Sequence, residues 1–320
     1  MIMIDHVQNA NIMRTLRAKH VAAPHDAKFA THLERLLCRG EQGNLTAEAI
    51  RFGATQETRG ILVIDGPGGG KSTMVARSLS RHPALQQGQY GHAAWLGVSV
   101  PSPATLKSLG FEILRRSGYP EVSERRQVWH VWDQIRSRLK MLGVSVLWID
   151  EAHDLFCKDR EMILRALKAL MQGDEAVIAI LSGTERLREV IQSDQQVLRR
   201  FSAINLSPVG VATDGQDFHE LIERYCGLAA LRPELSGDLV SRLFHGSRYR
   251  FGRSIETMLN AIEVALESGA DCVCDDHFAR AWAMQEGCAP GGNVFLTEDW
   301  TDIGLDVDGE QQSFQRRVRR

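Results

Sequence analysis

The run Asp65-Gly66-Pro67-Gly68-Gly69-Gly70-Lys71-Ser72-Thr73 constrains this chain more than any other segment. Four apolar, mostly β-branched residues, Ile61 to Ile64, precede it and read as a buried strand. The spacing after it predicts a helix from Lys71 to about Arg81. Strand, glycine-rich turn and helix in that order make a phosphate-binding loop. Glycines let backbone N–H groups point inward at phosphate oxygens, and the helix N-terminus adds partial positive charge. The expected contacts come from Gly66, Pro67, Gly68, Gly69, Gly70, Lys71, Ser72 and Thr73. Lys71 is expected to reach the β- and γ-phosphates and Ser72 to ligate Mg²⁺, with Thr73 available in a shifted register. The motif asks for Gly at position 65; this chain has Asp65, and Gly66 is expected to take the tight turn.

A second segment completes the chemistry. Val146-Leu147-Trp148-Ile149 is an apolar strand that ends in the pair Asp150-Glu151. A parallel sheet carries such carboxylates to the edge where phosphates bind. Asp150 is expected to hold the Mg²⁺ shell, and Glu151 to polarise the attacking water as general base. Ser182 and Thr184 follow another apolar run, where a hydroxyl can bond the attacking water or the γ-phosphate; simple turn chemistry at Ser-Gly-Thr is the plainer alternative. Arg199 and Arg200 are candidates to reach the γ-phosphate of a neighbouring subunit, and the other reading is a solvated pair. Arg253, after Gly252, is a candidate phosphate contact or an exposed helix-start arginine.

Strands and helices alternate from Gly60 onward. Strands are expected at Ala93–Val100, Val144–Ile149, Ala176–Ser182 and Ser202–Leu206, with helices at Thr105–Ser117, Glu124–Leu142 and Arg160–Met171. This alternation predicts an α/β fold, a parallel five-stranded sheet flanked by helices. After about Val211 the strands are expected to stop, leaving a small helical lid. The division follows: 1–58 an N-terminal helical extension with helices near Asn11–His20 and His25–Arg39, 59–211 the nucleotide-binding domain, 212–289 the lid, and 290–320 a flexible tail.

Composition enters as a set of exclusions. The net charge is −2, so any nucleic-acid contact needs a local patch or its repetition in an oligomer. No apolar run approaches the ~20 residues that span a bilayer, and the first ten residues lack a secretory pattern, so a cytoplasmic location without membrane contact is expected. The six scattered cysteines read as reduced thiols. Cys272-x-Cys274-x-x-His277 with Cys288 departs from standard zinc spacing and reads better as a turn into a helix. Asp150-Glu151-Ala152-His153 also spells a helicase signature, but the helical second half leaves no room for a second sheet domain.

The ordered set of phosphate loop, Asp-Glu strand, Ser182-Gly183-Thr184, Arg199-Arg200-Phe201 and Gly252-Arg253 resembles the AAA+ ATPases. Within them the chain is similar to the TniB/TnsC/MuB group of transposition regulators. Val98-Ser99-Val100-Pro101-Ser102-Pro103, the following Leu106–Gly118 segment with Tyr119-Pro120, and Ile149-Asp150-Glu151-Ala152-His153 carry that likeness. The resemblance covers roughly residues 30–285. It implies an AAA+ P-loop ATPase that hydrolyses ATP with Mg²⁺ and assembles into a hexameric ring or helical filament on double-stranded DNA. It further implies a DDE-type transposase as partner, a target-selection protein, and hydrolysis that disassembles the oligomer. Arg200 or Arg199 would act in trans. Lys107, Arg115, Arg116, Arg125 and Arg126 are the candidate DNA-facing residues, and the tail with Phe295, Trp300 and its basic end is the candidate transposase-binding peptide. Two other readings stand beside it: a secretion-linked AAA+ ATPase, and a nucleotide-dependent signalling switch with little turnover.

Overall fold

The computed structural model describes residues 6–120, 123, 125–157 and 160–305. The chain divides into two units. The larger unit comprises residues 23–67 and 71–206. Its centre is a five-stranded parallel sheet of β1 (Gly60–Ile64), β2 (Trp95–Ser99), β3 (Val146–Asp150), β4 (Ile178–Gly183) and β5 (Phe201–Asn205). The spatial order is β2-β3-β4-β1-β5. Every residue of β1, β3 and β4 is buried, which is why these strands read as continuous apolar runs.

Alternation across the sheet builds two cores. Leu62 and Ile64 of β1 join Leu147 and Ile149 of β3 in one cluster, against the helices Leu106–Arg116, Val128–Leu142 and Arg160–Leu170. Ile61, Val63, Val146, Trp148, Ile178 and Ile180 face the other way, against Met74, Val75 and Leu79 of the helix that opens at Lys71. Residues 150 and 182 continue this second row, because side chains two apart in a strand share a face. The phosphate-loop helix and the carboxylate of Asp150 therefore occupy the same side of the sheet.

Several expectations are corrected here. The helix expected to reach Arg39 ends at Glu34, and Leu37–Arg39 pairs antiparallel with Leu45–Ala49. Gly40 N–H donates to Asn44 O across the turn, and Gly43 stands at φ +80. A short apolar run fits either period, so tertiary pairing decides it. Two helices that the sequence pattern did not predict, Glu185–Gln192 and Gln195–Leu198, lie between β4 and β5; Asp194 caps the second by accepting from Gln196 and Val197 N–H.

The second unit comprises, among its described residues, 6–22, 68–70 and 207–305. Four helices dominate it: Val211–Leu228, Leu239–Gly246, Phe251–Glu267 and Asp275–Glu286. Strands do not stop after Val211: Arg232–Glu234 pairs in parallel with Cys272–Cys274. Three-residue strands are too short to leave a period in the sequence. Cys274 sits at the head of the last helix, and its N–H donates to His277 Nδ1 at 3.1 Å. That cap accounts for the Cys-x-Cys-x-x-His spacing. Among the described residues no group of three or more His, Cys, Asp or Glu side chains could hold a metal.

Described residues toward both ends, 6–22 and 290–305, belong to this unit. Met13 and Leu16 of the first helix lie in its core, with Asn9 Nδ2 donating to Leu266 O at 2.9 Å. The described part of the expected tail, 290–305, is packed as well. Val294 is 0% exposed, Asn293 Nδ2 donates to Ala279 O, and Arg242 donates to the carbonyls of Val294 and Thr297. Phe295 is buried and Trp300 rests edge-on against His245. The basic end, Arg316 to Arg320, lies outside the described residues. Among the described residues no helix is long and apolar enough to cross a membrane.

The Arg248 guanidinium, doubly bonded to Glu286, holds that carboxyl below its usual range; burial opposes the shift and Arg253 adds to it. A depressed carboxyl pKa contributes stability that is complete above the ordinary value of about 4.3 and fades as pH falls through the folded-state value. Glu286→Gln is therefore expected to weaken the protein at neutral pH and flatten the acid limb of its stability profile. Thermal unfolding of both proteins between about pH 3 and pH 7 checks this; parallel acid limbs would contradict it.

Candidate functional site: a phosphate loop and its carboxylate partner

The phosphate loop leaves β1 through Asp65, whose side chain is buried and bonds the next N–H: Gly66 N donates to Asp65 Oδ1 at 2.8 Å. Asp65 thus stabilises the turn that the motif usually assigns to glycine. Gly68 and Gly70 stand at φ +76 and +94, a region that costs other residues strain. Lys71 is buried, and its ammonium donates to Asp65 O and Gly66 O, each at 2.9 Å. Ser72 and Thr73 follow in the first helical turn, the former half-buried and the latter exposed.

Asp150 ends β3 in a buried position. Its Oδ1 accepts from Ser182 Oγ at 2.6 Å, and Ser182 Oγ accepts from Trp148 Nε1 at 2.8 Å. Glu151, the next residue, has φ +54 and a half-exposed side chain. His153 Nδ1 lies 3.4 Å from Glu151 Oε2, so the histidine belongs to this carboxylate cluster. Thr184 caps the helix Glu185–Gln192 with its backbone but makes no side-chain capping bond.

Arg199 and Arg200 have different surroundings. Both pair with Glu57, at 2.8 and 2.6 Å. The Arg199 side chain is 61% exposed, whereas that of Arg200 is 6% exposed and also donates to Lys168 O. Within the second unit, Arg253 N–H donates to Gly68 O at 2.9 Å, and the Arg253 side chain is 3.8 Å from Glu286. Gly252 lies so close to the loop glycines that a Cβ there would meet Gly68 O at 2.4 Å. Gly252→Ala sets about 1 kcal/mol of helix propensity against 1–3 kcal/mol or so of overpacking on backbone. The clash wins, and nucleotide affinity is expected to fall about tenfold or more with unchanged helix content. Titration of a fluorescent ATP analogue measures it; wild-type affinity would refute the close-approach argument.

The candidate DNA-facing residues are unequal too. Arg115 and Arg116 both bond Glu112, which leaves the trio one net positive charge rather than two. Lys107 lies over the Phe111 ring, and Arg125 and Arg126 are exposed.

Sequence reasoning passed over Trp148 and Glu57. An indole two residues before Asp150 shares its face of the strand, and that period was a usable signal. Glu57 carried none, since its pairing with Arg199 and Arg200 spans more than 140 residues.

The fold is similar to that of several solved proteins. The Aeropyrum pernix ORC1 protein, solved in complex with DNA, matches with a TM-score of 0.61 and 18% identity over 83% of this chain and 66% of that one. This chain therefore spans just under two thirds of the ORC1 length. The A. pernix ORC2 protein, solved in ADPNP–ADP complexes, matches with a TM-score of 0.61 and 13% identity over 87% and 75%. Cdc6p of Pyrobaculum aerophilum gives 0.57 and 14% over 83% and 69%. No curated protein shows significant similarity. A phosphate loop after β1, carboxylates after the adjacent-but-one β3, and helices after the sheet give this chain the AAA+ P-loop NTPase fold. The family can be stated as well: the bacterial TniB protein family matches residues 47–210, just over half of the sequence, and the chain belongs to it.

Proposed function

We propose that this protein is an ATP-dependent, DNA-binding regulator of DNA transposition. It oligomerises on double-stranded target DNA and recruits or activates a DDE-type transposase, and ATP hydrolysis takes the oligomer apart. The observation that carries the reading is the TniB family match, which spans the sheet and every motif from the phosphate loop to Arg200. The DNA complex of the similarly folded ORC1 protein adds support.

The residues fit ATP with Mg²⁺. The donors nearest the loop and sheet edge are oxygens, from Ser72 and Asp150, and hard oxygen donors suit Mg²⁺. Among the described residues none comes within 4 Å of where a Cβ at Gly70 would stand, which leaves room there for a phosphate. Ser72 and Asp150 would hold the ion, which neutralises phosphate charge when bound. Lys71 would turn its ammonium from the loop carbonyls to phosphate oxygens. Glu151 would accept a proton from the attacking water, and Thr184 would orient that water. Arg199, being exposed, fits a contact with a neighbouring subunit, while Arg200 fits an anchor for Glu57.

A net charge of −2 is compatible with DNA binding if one modest patch repeats along an oligomer, since effective concentration multiplies weak contacts. Retention on duplex DNA with ATP, with ADP and without nucleotide tests the proposal. ATP-specific retention is expected, and equal retention in all three conditions would overturn it.

A further inference from the structure

We infer that Trp148 is a positioning residue for the magnesium site, acting through the single proton of Ser182. The inference rests on the reading of Asp150 as a magnesium-shell residue and deepens it.

The argument starts from donor and acceptor inventories. An indole N–H can only donate, and a serine hydroxyl carries one proton and accepts through its lone pairs. Trp148 Nε1 is 2.8 Å from Ser182 Oγ, so Ser182 must accept from it. Ser182 Oγ is 2.6 Å from Asp150 Oδ1, and a carboxylate only accepts. The hydroxyl proton therefore has one direction, toward Asp150. All three side chains are at most 9% exposed, so water does not compete well for these bonds. One lone pair of Oδ1 is taken by Ser182, which leaves Oδ2 as the less encumbered oxygen that would face a magnesium shell. Ser182 has no proton left for an attacking water, which assigns that role to Thr184.

The sheet is built around this relay. Trp148, Asp150 and Ser182 lie in one row of side chains on adjacent strands, β3 and β4. On the other neighbour, β2, Gly97 is directly opposite Trp148. A Cβ at Gly97 would come within 2.7 Å of the Trp148 ring. Glycine at that position gives the indole the space from which its N–H reaches Ser182. A buried indole N–H needs an acceptor in any case; those of Trp132 and Trp282 are backbone carbonyls, whereas that of Trp148 is the hydroxyl that bonds Asp150.

The test separates the bond from the ring. Trp148 is replaced by β-(3-benzothienyl)alanine, which keeps the bicyclic shape and exchanges N–H for sulfur. The readout is the Mg²⁺ concentration required for tight binding of a fluorescent ATP analogue to the full-length protein, with binding in EDTA as the control. A roughly three- to tenfold rise in the required Mg²⁺ is expected, with EDTA binding unchanged and the melting temperature lowered by no more than a few degrees. Ser182→Ala is expected to give a similar rise, and the Trp148 replacement is expected to add little in that background. Two additive effects, or an unchanged Mg²⁺ requirement in the isostere, would overturn the relay. Asp150→Asn is measured alongside. If it removes the Mg²⁺ dependence while the isostere does nothing, the relay fails and the site reading stands. If Asp150→Asn also has no effect, both fail.

Discussion

Glu151→Gln is expected to lower ATP turnover by about 10²–10⁴-fold while ATP still binds. Glu151 follows β3 directly, one residue beyond the buried Asp150, and its side chain is half-exposed beside His153. The amide keeps the shape of the carboxylate but cannot take a proton from water. Nucleotide contacts from Lys71 and Ser72 remain, so the substitution separates hydrolysis from binding. On the transposition-regulator reading, oligomers of the variant should persist on duplex DNA with ATP and disassemble slowly. Phosphate release and ATP-dependent DNA retention measure the two halves. Turnover within about threefold of wild type would remove Glu151 from the base role, because that role requires at least ~10². Loss of DNA retention in a variant that still binds ATP would count against the regulator. A signalling module with little turnover predicts unaltered function.

The second large effect concerns stability. Glu57→Ala is expected to cost about 3–5 kcal/mol, the range found when one partner of a buried ion pair is removed. Arg200 is 6% exposed at its side chain, and Glu57 is its carboxylate partner at 2.6 Å. Without Glu57 a buried guanidinium keeps, among the described residues, the bond to Lys168 O on its other arm. Arg199→Ala breaks a pair to the same carboxylate, but its exposed position limits the cost to roughly 0–1 kcal/mol. Chemical denaturation of the two variants gives the comparison directly. The same pair of arginines separates in function: Arg199→Ala should reduce turnover with little change in melting temperature, and Arg200→Ala should do the reverse. Equal destabilisation by Arg199→Ala and Arg200→Ala would mean that exposure does not govern these contacts.

The candidate site was legible where chemistry and period coincide. The loop from Gly66 to Thr73 is bounded by a strand and a helix whose patterns are strong, and both elements form where expected. Asp150 and Glu151 stand at the end of a run that is buried on both faces, and such a run leaves little freedom of interpretation. The hairpin at Leu37–Ala49 and the parallel pair Arg232–Glu234 with Cys272–Cys274 were illegible, because three residues carry no period and Leu45–Ala49, mostly half-buried, forms no continuous apolar run. The packed segment 290–305 was hidden for a related reason. Its apolar residues, among them Val294, Phe295, Trp300, Ile303 and Leu305, have no period of their own and find their places on helices that precede them.

By itself the sequence determined the phosphate loop, the carboxylate pair, the parallel α/β class and the resemblance to TniB-like ATPases. Those properties reside in contiguous residues: backbone freedom in a glycine run, β-branched stretches, and two acids in succession. Only the tertiary structure decided what each polar side chain does. It directed the Ser182 proton to Asp150, seated Trp148 opposite Gly97, and gave Glu57 to two arginines of unequal exposure. It also turned Asp65 from a departure at a glycine position into the acceptor for Gly66 N–H. Such bonds join residues on different strands, and their energies depend on burial and direction, which spacing along the chain does not encode.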